Sequence, residues 1–350
     1  MINDISINGH VVSADAPVFV IAEAGVNHNG DPGMAKRLVE AAVKAGADAV
    51  KFQTFKANKV VAPNAPKAAY QKATTDPEES QLEMLRRLEL PYEVFEEIKA
   101  LCDQEDIIFM STSSDEESTD FLDTLGVPAF KVPSGEVTNH LFLKYVALKG
   151  KPIIMSTGMS YLSEVDEAVR VIRKAGNDKL VLLHCVSNYP ADVVDVNLKA
   201  MQTLRFAFQV PIGYSDHTLG IEIPLAATAL GACVIEKHFT LDRRLPGPDH
   251  KASLEPDELK AMVDGIRMVK QALGNGCKMP SASEEDTRYV ARRSLVLKEN
   301  VSEGDVITAK MLTALRPSCG ISPNMISYVE GRKAARSLRA GTMLSWSDLV

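Results

Sequence analysis

Eight times along this chain a short apolar run stops abruptly at polar residues, and a helix-like stretch follows. The runs are Val18–Ala22, Ala49–Phe52, Ile107–Met110, Ala129–Val132, Pro152–Met155, Leu180–Leu183, Val210–Tyr214 and Ala232–Ile235. Such short runs of four or five residues, apolar apart from Lys51 and Lys131, mark strands buried on both faces, as in parallel sheets covered by helices. The intervening stretches carry helix signals. Asp31 and Pro32 form an N-cap and first turn, with Gly46 as the stop. Helices are expected over Asp115–Leu125, Leu141–Leu148, Glu164–Lys174 and Leu198–Phe206, and Pro224 fits the first turn of another. The last, from Pro256, puts Leu259, Met262, Val263, Ile266, Val269 and Leu273 on one face and stops at Gly274. Eight strand–helix units in roughly 270 residues is the count and length of a (β/α)8 barrel. A doubly wound open sheet is the alternative and would need a reversal in strand order.

Residues Ile5–Val12 read as a small hairpin, and Lys56–Gln81 as a long polar excursion ahead of an amphipathic stretch through Cys102. The barrel accounts for residues 1–274. Residues 275–290 are polar, a linker by composition, and 291–350 read as short strands and turns. In that tail VSEGDVI and LRAGTML are alike, each a turn at a glycine before an apolar pair. So small a domain has too few apolar residues for a large core and is expected to lean on the barrel or on another subunit. A net charge of −7 argues against a nucleic-acid surface, which would normally show a basic face. The five cysteines are scattered without a CxxC, and the N-terminus has neither a basic nor an apolar leader region. These features point to a reduced, cytoplasmic compartment and no membrane segment.

In a barrel, residues at strand C-termini share one mouth. Those residues are Glu23, Lys51, Gln53, Thr112, Lys131, Ser134, Glu136, Ser156, Ser215, His217 and His238, with Asp249 just after the last strand. Two ammonium groups and several hydroxyls suit a phosphate or another polyanion. Two imidazoles on neighbouring strands can share a divalent metal. One surface and one buried structural histidine would fit the same two residues equally well. GVNHNGD has P-loop glycine spacing, but Asp31 stands where a lysine is required. GYSDH lacks the final glycine of a nucleophile elbow. Lys51 or Lys131 could form a Schiff base, although an anionic substrate nearby would hold either as ammonium.

The ordered set EAGVNHNGD, VKFQTFKA, KVPSGE, STGM, HCVSNYP, GYSDHT, EKHFTLD, GPDHKASLEP and LRPSCGISP resembles the bacterial sialic acid synthase family. The resemblance implies a TIM barrel followed by an antifreeze-like SAF domain. It implies condensation of phosphoenolpyruvate with N-acetylmannosamine or its 2,4-diacetamido-2,4,6-trideoxy analogue, giving N-acetylneuraminate or a legionaminate and phosphate. By the same carry-over His217 and His238 would hold Mn2+ or Mg2+. Lys51, Thr112, Lys131, Ser134, Ser156 and Ser215 would contact phosphoenolpyruvate, and Gln53, Tyr189 and Asp249 would surround the sugar. Glu23 and Glu136 are the candidates for proton transfer. Arg316 would reach from one subunit's SAF domain into a second subunit's barrel, making a domain-swapped homodimer. Two other readings are a Schiff-base aldolase cleaving a nonulosonic acid, and a non-enzymatic sugar- or ice-binding protein.

Overall fold

The computed structural model describes residues 4–76 and 78–350. Its chain divides into two compact units, Met1–Gly274 and Asn275–Val350. The first unit opens with a hairpin of β1 (Ile5–Ile7) and β2 (His10–Val12). Eight parallel strands follow: β3 (Phe19–Gly25), β4 (Ala49–Thr54), β5 (Ile108–Ser113), β6 (Phe130–Val132), β7 (Ile153–Ser156), β8 (Leu180–Cys185), β9 (Ile212–Asp216) and β10 (Val234–His238). Each pairs with the next, and β10 closes on β3 through Val234↔Phe19 to His238↔Glu23. That closure removes the open-sheet alternative.

Local chemistry places the helices outside. The helix Pro32–Ala45 begins where the Asp31 side chain accepts the Gly33 N–H, and it ends at Gly46, whose φ of +77° a Cβ would oppose. It buries Ala35, Leu38, Val39, Ala42 and Ala45 against the outer faces of the strands. The final helix, Pro256–Leu273, buries Leu259, Met262, Val263 and Ile266, but Leu273 emerges into solvent. Inside the barrel a separate apolar layer joins Phe19, Ile21, Ala49, Ile108 and Ile154 to Ile5, Ile7 and Val12 of the hairpin. The N-terminal hairpin therefore plugs the barrel's N-terminal end.

All the barrel strands but β6 outrun their apolar runs by one to three residues. β5 continues to Ser113, β8 to Cys185, β9 to Asp216 and β10 to His238. Polar side chains persist in the ladder because the barrel mouth is where a side chain can point inward without meeting the apolar layer. The long segment between β4 and β5 has its own satellite core of Val26, Phe55, Ala57, Leu82, Met84 and Leu88.

The second unit pairs β11 (Ser294–Leu297) with β12 (Leu312–Leu315) antiparallel. Its small core gathers Leu295, Leu297, Val301, Ile307, Leu312, Ile321, Val329 and Leu344, among others. The two similar phrases lie side by side, bridged antiparallel at Val301↔Leu338. The stretch read as a linker contains a short exposed helix, Glu285–Ala291.

Candidate functional site

The C-terminal mouth of the barrel holds a cavity of about 450 Å3. Strand periodicity decides what faces it, because alternate residues point to opposite faces. On β3 the inward set is Phe19, Ile21, Glu23, and on β4 it is Ala49, Lys51, Gln53. On β10 it is Val234, Glu236, His238. In each case apolar residues lie in the inner layer and polar ones line the cavity. The odd-out residues Val20, Val50 and Ile235 pack outward instead. A bulge between Glu23 and Gly25 bends the end of β3 where it meets β4.

The cavity floor is a buried charged layer. Lys51 Nζ lies 2.7 Å from Glu23 Oε2, donates to Thr112 Oγ1 at 2.8 Å, and is 3.7 Å from Glu236 Oε2. Lys131 Nζ donates to Ser156 Oγ at 2.7 Å and to the Val132 carbonyl at 3.3 Å, and lies 3.6 Å from Glu236 Oε1. Ser215 donates to that same Glu236 oxygen at 2.8 Å. Glu236 thus bridges both lysines. Burial opposes its charge, but Lys131 and Lys51 outweigh burial and hold the carboxyl below its usual range. Burial likewise works against the Lys51 ammonium, yet Glu23 and Glu236 raise its pKa. Lys131 goes the other way, lowered by burial. Glu23 is pushed up to about 7, chiefly by burial and then by the charge of Glu236, against the pull of Lys51. A carboxyl there can carry or release a proton near neutrality.

Above the floor the two imidazoles face each other, ring centroids 5.4 Å apart. Burial lowers His217 to about 4 and His238 well below its usual value, so both rings are neutral. His217 Nδ1 lies 2.5 Å from the Val186 carbonyl and so carries the proton, which leaves Nε2 with a lone pair. His238 Nδ1 is buried without a hydrogen-bond partner among the described residues, 3.9 Å from Asp249 Oδ2. Asp249 is itself pushed up to about 6 by burial. The Tyr189 ring stands 4.0 Å from His217 and 5.5 Å from His238, and Tyr70 stacks 5.1 Å further out on Tyr189. Among the described residues no group of three or more His, Cys, Asp or Glu side chains forms a metal cluster. The donor set is two imidazoles, with carboxylates in the same cavity.

Ser134 follows β6 in a 3-10 turn, where its Oγ accepts the Gly158 N–H at 2.9 Å and lies 3.1 Å from Cys185 Sγ. Gly158 is required here, since a Cβ would come within 2.3 Å of Ser187 Oγ and 2.7 Å of Cys185 Sγ. Gln53 Nε2 reaches Glu23 Oε1 at 3.4 Å. Lys51, Gln53, Thr112, Lys131, Ser134 and Ser156 therefore share one cavity with Ser215, His217, His238, Tyr189, Asp249 and Glu23.

Glu136 is not with them. The turn Ser134–Glu136 directs its carboxylate to the Asn139 side chain, 2.7 Å away, and it does not line the cavity. Beside Glu23, which meets Lys51, the carboxylate that reaches both lysines is Glu236, which is absent from the residues expected at the mouth. Its signal was parity: two residues before His238, it shares that histidine's face once β10 is known to extend that far. Arg316 belongs to the second unit, one residue beyond β12. The Ser215 hydroxyl donates to Glu236, whose carboxylate is already shared by two lysines and held below its usual range, which makes it a weak base for activating that hydroxyl as a nucleophile.

The chain matches the NeuB family model over residues 38–278 and the SAF domain model over residues 292–350. It is 51% identical to N,N'-diacetyllegionaminic acid synthase of Legionella pneumophila, over 95% of this chain and 94% of that one. It is 48% identical to the protein of the same name from Campylobacter jejuni, over 93% of this chain and 98% of that one. Among solved structures, N-acetylneuraminic acid (sialic acid) synthetase of Leptospira borgpetersenii serovar Hardjo-bovis superposes with a TM-score of 0.74 at 36% identity. That superposition covers 82% of this chain and 95% of the other. A barrel whose charged floor lies beneath paired neutral imidazoles, together with these matches, makes this chain a member of the NeuB family that carries a SAF domain C-terminal to its barrel.

Proposed function

We propose that this protein is a nonulosonic acid synthase. It condenses phosphoenolpyruvate with an N-acetylated mannosamine-type aldose, adds water and releases phosphate. The names of the relatives favour the 2,4-diacetamido-2,4,6-trideoxy sugar and a legionaminate product over N-acetylmannosamine and N-acetylneuraminate. The observation that carries the reading is the floor: two buried lysines, each donating to a hydroxyl and both bridged by Glu236, which also accepts from Ser215, below two neutral imidazoles.

Lys51 and Lys131, with Thr112, Ser134, Ser156 and Ser215, bind the phosphate and carboxylate of phosphoenolpyruvate and hold its methylene carbon toward the sugar. Their contribution is positioning and charge stabilisation in a buried site. The C2–C3 π electrons form the new bond to the aldehyde carbon. Water then adds at C2, and the C2–O bond to phosphate breaks, leaving the keto group and inorganic phosphate. Glu23, titrating near 7, is assigned to proton transfer. Gln53, Tyr189 and Asp249 surround the sugar.

The residues fit a divalent cation, because His238 Nδ1 has no hydrogen-bond partner among the described residues and the His217 tautomer is fixed through Val186. When bound by His217 and His238, Mn2+ or Mg2+ would supply Lewis-acid polarisation of the aldehyde oxygen. Arg316 from a second copy of the chain is assigned to the sugar's N-acetyl group, so the working unit is a homodimer. The reaction is assigned to the cytoplasm, where the five free cysteines stay reduced. Among the described residues no helix is long and apolar enough to cross a membrane.

One observation favours the aldolase reading, the lowered pKa of Lys131. Against it, that ammonium donates to Ser156 and to the Val132 carbonyl and lies 3.6 Å from the Glu236 carboxylate, contacts that hold it charged. The test is phosphoenolpyruvate labelled with 18O at its bridging oxygen, incubated with sugar and Mn2+. The label is expected in inorganic phosphate, and chelation is expected to stop its release. Label retained in the keto acid, or a lysine adduct trapped by borohydride with pyruvate, would sink the synthase chemistry.

A further inference from the structure

The cavity has a second wall that the chemistry above leaves unused. Most of it comes from the long segment between β4 and β5, with Val26 contributed by the turn just after β3. Met84 and Leu88, on the helix Gln81–Leu88, are buried with Val26 in the satellite core, and Leu85 packs half-buried against them. All four line the same cavity as the lysines and histidines. The wall is held in place beforehand. Ser80 caps its helix by accepting the Glu83 N–H, and Glu83 returns the contact to the Ser80 N–H at 2.8 Å. Lys67, with a side chain only 1% exposed, ties the preceding stretch down by donating to Thr75 Oγ1 at 3.0 Å.

We propose that this wall sets sugar specificity: Val26, Met84, Leu85 and Leu88 receive the distal end of a 6-deoxy aldose bearing an acylamino group at C4, and disfavour a hydroxylated end. The inference rests on the synthase reading and assigns residues to its choice of sugar. With the aldehyde near the histidines, the rest of an open-chain sugar extends past Tyr189 and Tyr70, the rings that lead outward from His217. Its C4–C6 portion then meets the apolar wall. N-acetylmannosamine would bring hydroxyls against the four apolar side chains, which offer no partner for the water those hydroxyls lose. The 2,4-diacetamido-2,4,6-trideoxy sugar brings a C6 methyl and an acetyl methyl, which apolar side chains take up, and an amide that Gln81 at the same cavity edge can meet. An apolar pocket rejects an added hydroxyl by about a hundredfold, and a methylene is worth about 10- to 200-fold.

The experiment measures phosphate release with three sugars: the diacetamido-trideoxy sugar, N-acetylmannosamine and 6-deoxy-N-acetylmannosamine. The diacetamido sugar is expected to lead N-acetylmannosamine by about a hundredfold in kcat/KM, with the 6-deoxy sugar in between. Leu85→Gln is expected to shrink the lead about tenfold, mainly by raising KM for the diacetamido sugar. The comparison on the unmodified protein needs no variant, so a misfolded L85Q leaves it decisive. Equal kcat/KM for 6-deoxy-N-acetylmannosamine and N-acetylmannosamine, or a ratio unmoved in folded L85Q, overturns the wall's role while the synthase reading stands. Phosphate release with none of the three overturns both.

Discussion

Lys237 and Asp216 are cross-strand partners on the outer face of β10 and β9, both side chains fully buried. They occupy the positions between the inward pairs Ser215/His217 and Glu236/His238, so their ion pair fixes the strand ends that carry both imidazoles. Replacing Lys237 with Met keeps the volume and removes the charge. Asp216 would keep the Tyr214 hydroxyl at 3.1 Å, the Thr218 N–H at 3.1 Å and the Thr218 hydroxyl at 2.9 Å. Breaking a buried pair by removing one partner costs about 3–5 kcal/mol. With three donors left, the lower end applies, and melting should fall by about 6–12 °C for a domain of this size. Far-UV circular dichroism is the assay, because the chain's one tryptophan, Trp346, lies in the second unit and its fluorescence does not report the barrel. The double variant Asp216→Leu/Lys237→Met should recover most of the loss, since it leaves no uncompensated charge. Metal affinity, read by calorimetry, should weaken about 10- to 100-fold in the single variant, the usual effect of disturbing the residues behind metal ligands. A stability loss below about 1 kcal/mol would refute the reasoning, because the carboxylate would then not depend on the ammonium.

Two further outcomes are expected. His28 is fully buried, accepts the Gly30 N–H at Nδ1, and is lowered to about 4 by burial. The unfolded chain therefore binds a proton at about pH 6.5 that the folded one refuses until about pH 4, so His28 withdraws stability as pH falls through that window and adds nothing above it. His28→Asn, which keeps an acceptor for Gly30, should lose about 3 kcal/mol less than the unmodified protein between those limits in urea titrations; parallel acid profiles would contradict this. Arg316→Ala should raise the sugar KM about tenfold or more with little change in the phosphoenolpyruvate KM. An unchanged sugar KM would remove Arg316 from the site.

The lysines, hydroxyls and histidines of the mouth were readable because they end apolar runs, and strand ends in a barrel converge. Asp31, Pro32, Gly46 and Pro256 marked their helices by chemistry that acts within one turn. Glu136 and Glu236 show the limit of that reading. Both follow an apolar run closely, but a 3-10 turn carries one away from the cavity while two more residues of ladder keep the other facing it.

The order of strands and helices, and which polar side chains end the strands at one mouth, were determined by the sequence alone, because periodicity and capping are local. The tertiary structure decided that β10 meets β3, that Glu236 spans two lysines from other strands, and that the hairpin plugs the barrel's N-terminal end. It also brought Leu85 into the same cavity as His217. These depend on register and on contacts between residues far apart in the chain, which no local pattern encodes.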